Sequence, residues 1–208
     1  VIPACHWVTE RSKKGRAQVR PISRTDQGRL DMTTALLIID VQQALCAGEY
    51  QCFEIDRVIA TINDFSQRAR TAGVPVVLIQ HEEKDGPFVH GADGWQLAEG
   101  LLTSTKDLRV GKTTGDSFYQ TDLGKLLPSE DFERLIICGL QTDYCVNATV
   151  RSAHSLGYDI VVAQDAHSTV DNGNMSAEDI IAQHNKDFAA LTSSVARIDV
   201  KPAAEITF

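Results

Sequence analysis

Three polar residues stand at or just past the ends of apolar runs. Asp40 closes "ALLIID", Lys112 closes "DLRVGK", and Cys145 follows "RLIICGL" across the turn "QTDY". A carboxylate, an ammonium and a thiol are the parts of an activated cysteine nucleophile. The thiol must lose its proton to a base, for which Asp40 is the candidate, and a cation such as Lys112 then holds the charge that forms. The run from about Val146 to Leu156 has the apolar spacing of a helix, so Cys145 lies at a first turn, where free backbone amides favour an anion. Each residue also has an ordinary alternative. An Asp that ends a strand often caps the next helix, a lone Lys after Gly is commonly solvated surface, and a Cys at a helix start is often a packed small hydrophobe. Spacing alone leaves these alternatives open.

The elements that would have to bring the three together follow from periodicity. From Thr34 onward, strand-like and helix-like runs alternate, as a parallel α/β sheet requires. Strands are expected over 35–40, 74–81, 107–112, 134–140, 158–165 and 194–199. Helices are expected over 54–73, over a short stretch at 121–130, over 144–157, and over 176–194 with Ser176 as N-cap and acids in the first turn. Continuous apolar strands separated by helices need cover on both faces, so the predicted fold is a three-layer α/β/α domain with a doubly wound, mainly parallel sheet of about six strands. In such a sheet the carboxyl ends open on one rim, where Asp40, Lys112 and Cys145 can share a cleft. A long loop between His81 and Asp107 is the one extended irregular stretch.

Composition bounds the function classes. The 208 residues are 43% apolar, enough for a single core, and the formal net charge of −8 argues against a partner with a phosphate backbone. No apolar run approaches the roughly 20 residues of a membrane span, and the opening residues lack a signal-peptide core, so the expectation is a cytoplasmic protein acting on neither nucleic acid nor membrane. The five cysteines Cys5, Cys46, Cys52, Cys138 and Cys145 show no paired C-x-x-C spacing, which fits a reducing compartment and no structural zinc. Residues 1–31 carry seven Lys/Arg against three acids, leaving 13 basic and 25 acidic residues in the rest. That segment reads as an extension, foreign to the domain or disordered, ahead of a domain over 32–208 that opens at Met32. A basic arm is the rival reading.

The blocks "ALLIIDVQQALC", "RVGKTTGDSFYQTDL" and "LIICGLQTDYCVNATVRSAHSLGYDIVVAQDAHST" resemble, in order, those of the isochorismatase-like cysteine hydrolases, a superfamily that includes nicotinamidases, carbamoylsarcosine amidases and isochorismatases. The resemblance runs from about Thr34 to Asp199. It implies that Asp40, Lys112 and Cys145 form a catalytic triad, and that the Leu140–Gln141 peptide is cis, with the Gln141 and Cys145 amides as an oxyanion hole. Thr142 and Asp143 then fix the turn. It also implies a thioester mechanism on a C–N bond of a small-molecule amide, carbamoyl compound or ureide, and a homodimer or homotetramer. Isochorismatase-type vinyl ether cleavage and an inert binding protein of the same fold are the alternatives, and the retained cysteine favours the first reading.

Nicotinamidases hold a divalent cation through an Asp-x-His cluster after the second strand, whereas this chain reads "LIQHEEKDGPFVHGADGW". His81, His90, Glu82, Glu83 and Asp85 lack that spacing, so neither metal nor other cofactor is expected. His81, Trp95 and Phe118 are expected to line the substrate pocket, and His167 and His184 to be structural.

Overall fold

Alternation along β3 (Thr34–Ile39) sends Leu36 and Ile38 into one buried layer and Ala35, Leu37 and Ile39 into the other. The first layer packs on Ile55, Val58, Ile62 and Phe65, and the second on Val146, Val150, Ala153 and Phe188. A strand apolar on both faces is thus covered twice, and three layers result.

The computed structural model describes residues 7–11, 17–21, 33–127, 132–194 and 196–208, in two units, Val1–Met32 and Thr33–Phe208. In the first, β1 (Trp7–Arg11) and β2 (Ala17–Pro21) pair antiparallel, with Trp7 opposite Pro21. The remainder of the segment read as an extension lies outside the described residues.

In the second unit, β4 (Val76–His81), β5 (Leu108–Lys112), β6 (Arg134–Leu140), β7 (Asp159–Ser168) and β8 (Ile198–Lys201) join β3 in a six-stranded sheet of order β5-β4-β3-β6-β7-β8. Every neighbouring pair in it is parallel. The chain runs outward from β3 to β5, then returns to the other side of β3 at β6. The boundary between β3 and β6 is therefore the switch point of a doubly wound sheet, where clefts form beyond the strand ends.

Helix α1 (Gln43–Cys46) is a single turn, and α2 (Ile55–Thr71) buries Ile55, Val58, Ile59, Ile62, Phe65 and Ala69 at helical spacing. Helix α3 (Leu123–Leu126) is shorter than expected, and part of its expected range, 128–130, lies outside the described residues. Helix α4 (Asn147–Ser155) and α5 (Ala177–Ala189) cover the second face, and the Ser176 hydroxyl caps α5 by accepting from the Asp179 amide at 3.2 Å.

Other boundaries depart from expectation as well, among them the end of α5 at Ala189 rather than 194 and the start of β4 at Val76 rather than 74. Strand β7 continues to Ser168, because a register shift between Ile137 and Gly139 lets His167 and Ser168 pair with Gly139 and Leu140. Strand β8 begins at Ile198 rather than 194, where pairing with β7 begins. The helix expected from Tyr144 opens instead as a π-type turn over Thr142–Val146.

Candidate active site

Asp40 is the residue at which β3 stops. Its amide still bonds the Ile79 carbonyl at 2.9 Å, but its φ of 49° is left-handed, a conformation that costs a non-glycine residue of order 1–3 kcal/mol and is held only by strong surroundings. Those surroundings are electrostatic. Lys112 Nζ lies 2.6 Å from Asp40 Oδ2, with both side chains essentially sealed from solvent. Burying such a pair is costly unless the remaining protons and lone pairs are used. The ammonium also donates to Thr114 O at 3.1 Å, and its remaining proton lies within reach of both Cys145 Sγ at 3.2 Å and His81 Nδ1 at 3.5 Å. Asp40 Oδ1, by contrast, is buried without a well-aligned hydrogen-bond partner, and the Cys145 thiol is near enough to the carboxyl for a hydrogen bond to act on the titration of both groups.

The turn carrying Cys145 is shaped by Gly139. Its φ is +117°, and a Cβ there would fall 2.1 Å from Ile39 O, so β6 approaches β3 more closely than any other residue permits. The Leu140–Gln141 peptide that follows is cis. Gln141 O then accepts from both Tyr144 N at 3.2 Å and Val146 N at 3.1 Å, folding the turn around the Cys145 amide.

The end of β7 braces this turn from outside. Thr142 Oγ1 and His167 Nδ1 are 2.8 Å apart, His167 Nε2 lies 3.0 Å from Asn185 Oδ1, and Asn185 Nδ2 donates to Gln164 O at 3.1 Å. Because the Asn185 amide nitrogen is committed to a carbonyl, its oxygen must accept from His167, and His167 Nδ1 must accept from Thr142. The Thr169 hydroxyl donates to Asp143 Oδ1 at 2.6 Å. Burial holds His167 at about 4, so it stays neutral.

Burial also governs the titration of the clustered groups. It pushes the Asp40 carboxyl above its ordinary 3.8, with the Lys112 cation pulling the other way. It pushes the Cys145 thiol up to about 12, the negative charge of Asp40 adding to the effect and Lys112 opposing it. Desolvation thus favours the neutral thiol, and Lys112 is the cation that opposes it.

Of the residues expected to line a pocket, His81 ends β4 and lies at the cluster. Trp95 belongs to a 3₁₀ turn over Asp93–Trp95 and packs on His90, with ring centroids 4.3 Å apart. Phe118 stacks on Tyr158 at 5.6 Å, against the apolar layer that also holds Cys145. Sequence reading missed Gln42, which is fully buried. Its amide donates to His81 O at 3.0 Å and Trp95 O at 2.9 Å, and accepts from His81 N at 2.7 Å, fastening the loop after β4 at both ends. A polar residue inside "DVQQALC" carries no periodic signal of such a role. Among the described residues no group of three or more His, Cys, Asp or Glu is arranged to hold a metal ion. His81 Nε2 instead meets Glu83 Oε1 at 3.1 Å, and His90 Nε2 lies 3.9 Å from Glu82 Oε1.

The profile of the isochorismatase domain matches residues 34–195. Streptothricin hydrolase from Streptomyces noursei is 36% identical over 138 residues, covering 66% of this chain and 55% of that protein. This chain thus spans little more than half the length of that relative. Ureidoacrylate amidohydrolase RutB from Pseudomonas syringae pv. syringae is 28% identical over 170 residues, covering 64% of this chain and 69% of the other. A solved structure described as an isochorismatase family protein superposes with a TM-score of 0.72 at 34% identity, over 80% of this chain and 97% of its own.

Proposed function

The chain belongs to the isochorismatase family, and from that premise we propose that it is a cysteine hydrolase cleaving a C–N bond of a small amide, carbamoyl compound or ureide through a thioester on Cys145. One observation carries the reading: Lys112 Nζ stands between Asp40 Oδ2 at 2.6 Å and Cys145 Sγ at 3.2 Å, at the switch point of the sheet. A solvated Lys, a helix-capping Asp and a packed Cys would not converge in this way. The names of two relatives, a streptothricin hydrolase and a ureidoacrylate amidohydrolase, accord with hydrolysis, and the second with amide cleavage.

In the proposed cycle Asp40 accepts the thiol proton, and its open Oδ1 is the natural site for it. A carboxyl with a raised pKa binds that proton better than an ordinary aspartate, which narrows the gap to a thiol near 12. The thiolate adds to the substrate carbonyl carbon, and Lys112 offsets its charge as it forms. Amides of Gln141 and Cys145 donate to the oxyanion, a contribution of about 3 kcal/mol per donor in other acyl-transfer enzymes. Protonated Asp40 passes its proton to the leaving nitrogen, the C–N bond breaks, and the thioester remains. Water then adds to that carbonyl, giving its proton to Asp40. Collapse expels the sulfur, which takes the proton back, and the carboxylic acid departs.

The test is a panel of small amides, carbamoyl amino acids, ureides and isochorismate, with intact-mass detection of the acyl-enzyme. An active compound should leave its acyl mass on Cys145, and Cys145→Ala should lose at least roughly 10³-fold in kcat/KM while remaining folded. Turnover retained in Cys145→Ala would overturn the reading.

A further inference from the structure

Lys112 has three ammonium protons and four acceptors around them. Asp40 Oδ2 at 2.6 Å and Thr114 O at 3.1 Å are the strong ones, a carboxylate and a carbonyl. The third proton has two weaker claimants, Cys145 Sγ at 3.2 Å and His81 Nδ1 at 3.5 Å. A neutral thiol sulfur is a poor acceptor and an imidazole nitrogen a good one, whereas a thiolate outcompetes both.

Whether His81 Nδ1 can accept depends on which of its nitrogens carries the proton. Glu83 Oε1 lies 3.1 Å from Nε2, which places the proton there and leaves a lone pair on Nδ1 facing the ammonium. The ring is held in place. His81 N and O both bond the Gln42 amide, its strand partner in register is Lys112, and its ring stands nearly perpendicular to that of Phe88 with centroids 5.5 Å apart. The charged and titratable groups around it are Lys112 from β5, Asp40 from β3, Glu83 from the following loop, and Cys145 from the turn after β6.

We infer that His81 is a positioning residue that accepts the third Lys112 proton while Cys145 is a thiol and yields it to sulfur when the thiolate forms. No covalent bond changes. One N–H turns from nitrogen to sulfur, and the resting state is stabilised relative to the thiolate, so that the nucleophile stays quiet until substrate supplies the difference. The inference rests on reading Asp40, Lys112 and Cys145 as one site, and assigns the regulation of that site to a residue outside the three.

A pH series of iodoacetamide alkylation at Cys145, followed by peptide mass spectrometry, tests it on the full chain with wild type, His81→Phe and His81→Asn. Phenylalanine keeps a ring of similar size without an acceptor, and the Asn oxygen stands near the Nδ1 position. His81→Phe should alkylate at least about three-fold faster at fixed pH, which is about half a unit of pKa, and His81→Asn should return the rate toward wild type. A loosened Lys112, the consequence of a merely structural role, would slow alkylation instead. Slower or unchanged alkylation in His81→Phe, or no restoration in His81→Asn, overturns the inference. Because alkylation is read without turnover, this outcome is separate from failure of the hydrolase proposal, which Cys145→Ala decides.

Discussion

Gly139 and Ile39 lie so close across β6 and β3 that a Cβ on Gly139 would fall 2.1 Å from the Ile39 carbonyl oxygen and 2.6 Å from its nitrogen. Both atoms are backbone in the sheet centre, and neither can swing away. This contact sets the end of β6 beside the end of β3, and so the Cys145 turn beside Asp40.

Gly139→Ala should therefore unfold the domain or cost it more than about 3 kcal/mol, since clash and left-handed backbone act together. Gly157→Ala is the matched control, with φ +91° but nothing within 4 Å, and should cost only about 1 kcal/mol. Urea midpoints of the two variants check this, and equal midpoints would show that the close approach is not constraining.

Lys112→Met removes the one cation that opposes both burial and Asp40 at the thiol. Cys145 alkylation should slow by about tenfold at fixed pH, the equivalent of about one pKa unit, and kcat should fall sharply. Lys112→Arg should rescue poorly, because a planar fork does not fit where a compact ammonium meets Asp40, Thr114 and Cys145. Superimposable alkylation profiles for wild type and Lys112→Met would uncouple the lysine from the thiol.

The acid limb of kcat/KM should lie above the ordinary aspartate value of 3.8, because burial raises Asp40 and a raised carboxyl keeps its proton to higher pH. The base is thus lost earlier as pH falls. The limb reports the coupled site rather than one residue. A pH–rate profile with its acid limb at or below 3.8 would contradict the proposed role of Asp40.

Stability should show a second acid dependence, from His167. Its folded value of about 4 is below the ordinary 6.5, so the unfolded chain takes up the proton first. The contribution is complete above pH 6.5 and is lost progressively down to about pH 4, up to roughly 3 kcal/mol in all. His167→Gln should be less stable at neutral pH yet flatter across that window. Parallel Tm-against-pH curves would remove His167 as the source.

Strands β3 to β6 and helix α2 were legible because their patterns answer to burial alone: Leu36 to Ile39 are apolar on both faces, and Ile55 to Ala69 repeat at helical spacing. The Ser176 cap was legible because side chain and recipient are three residues apart. Asp40, Lys112 and Cys145 were each visible as residues at strand ends, but their meeting depended on a strand order that no local pattern encodes. Gln42 was illegible for the same reason, since its partners His81 and Trp95 are 39 and 53 residues away. The upward push of burial on the Cys145 thiol was not legible either, because desolvation depends on how completely the surroundings close, which charge counting ignores.

The clasp made by Gln42 separates two kinds of change during evolution. Residues 82–94 leave the sheet after His81 and return beside its end at Trp95, and both endpoints are gripped by the same amide. The excursion is closed at its neck, so altering it meets chiefly a loop-closure term, about 0.6 kcal/mol for each doubling of length. Changes in the excursion that spare Glu83 and Phe88, which hold the His81 ring, thus leave Asp40, two residues from the clasp, in its place. The cluster around Asp40 is thereby decoupled from most of the loop beside it, so the two can vary in sequence on separate terms.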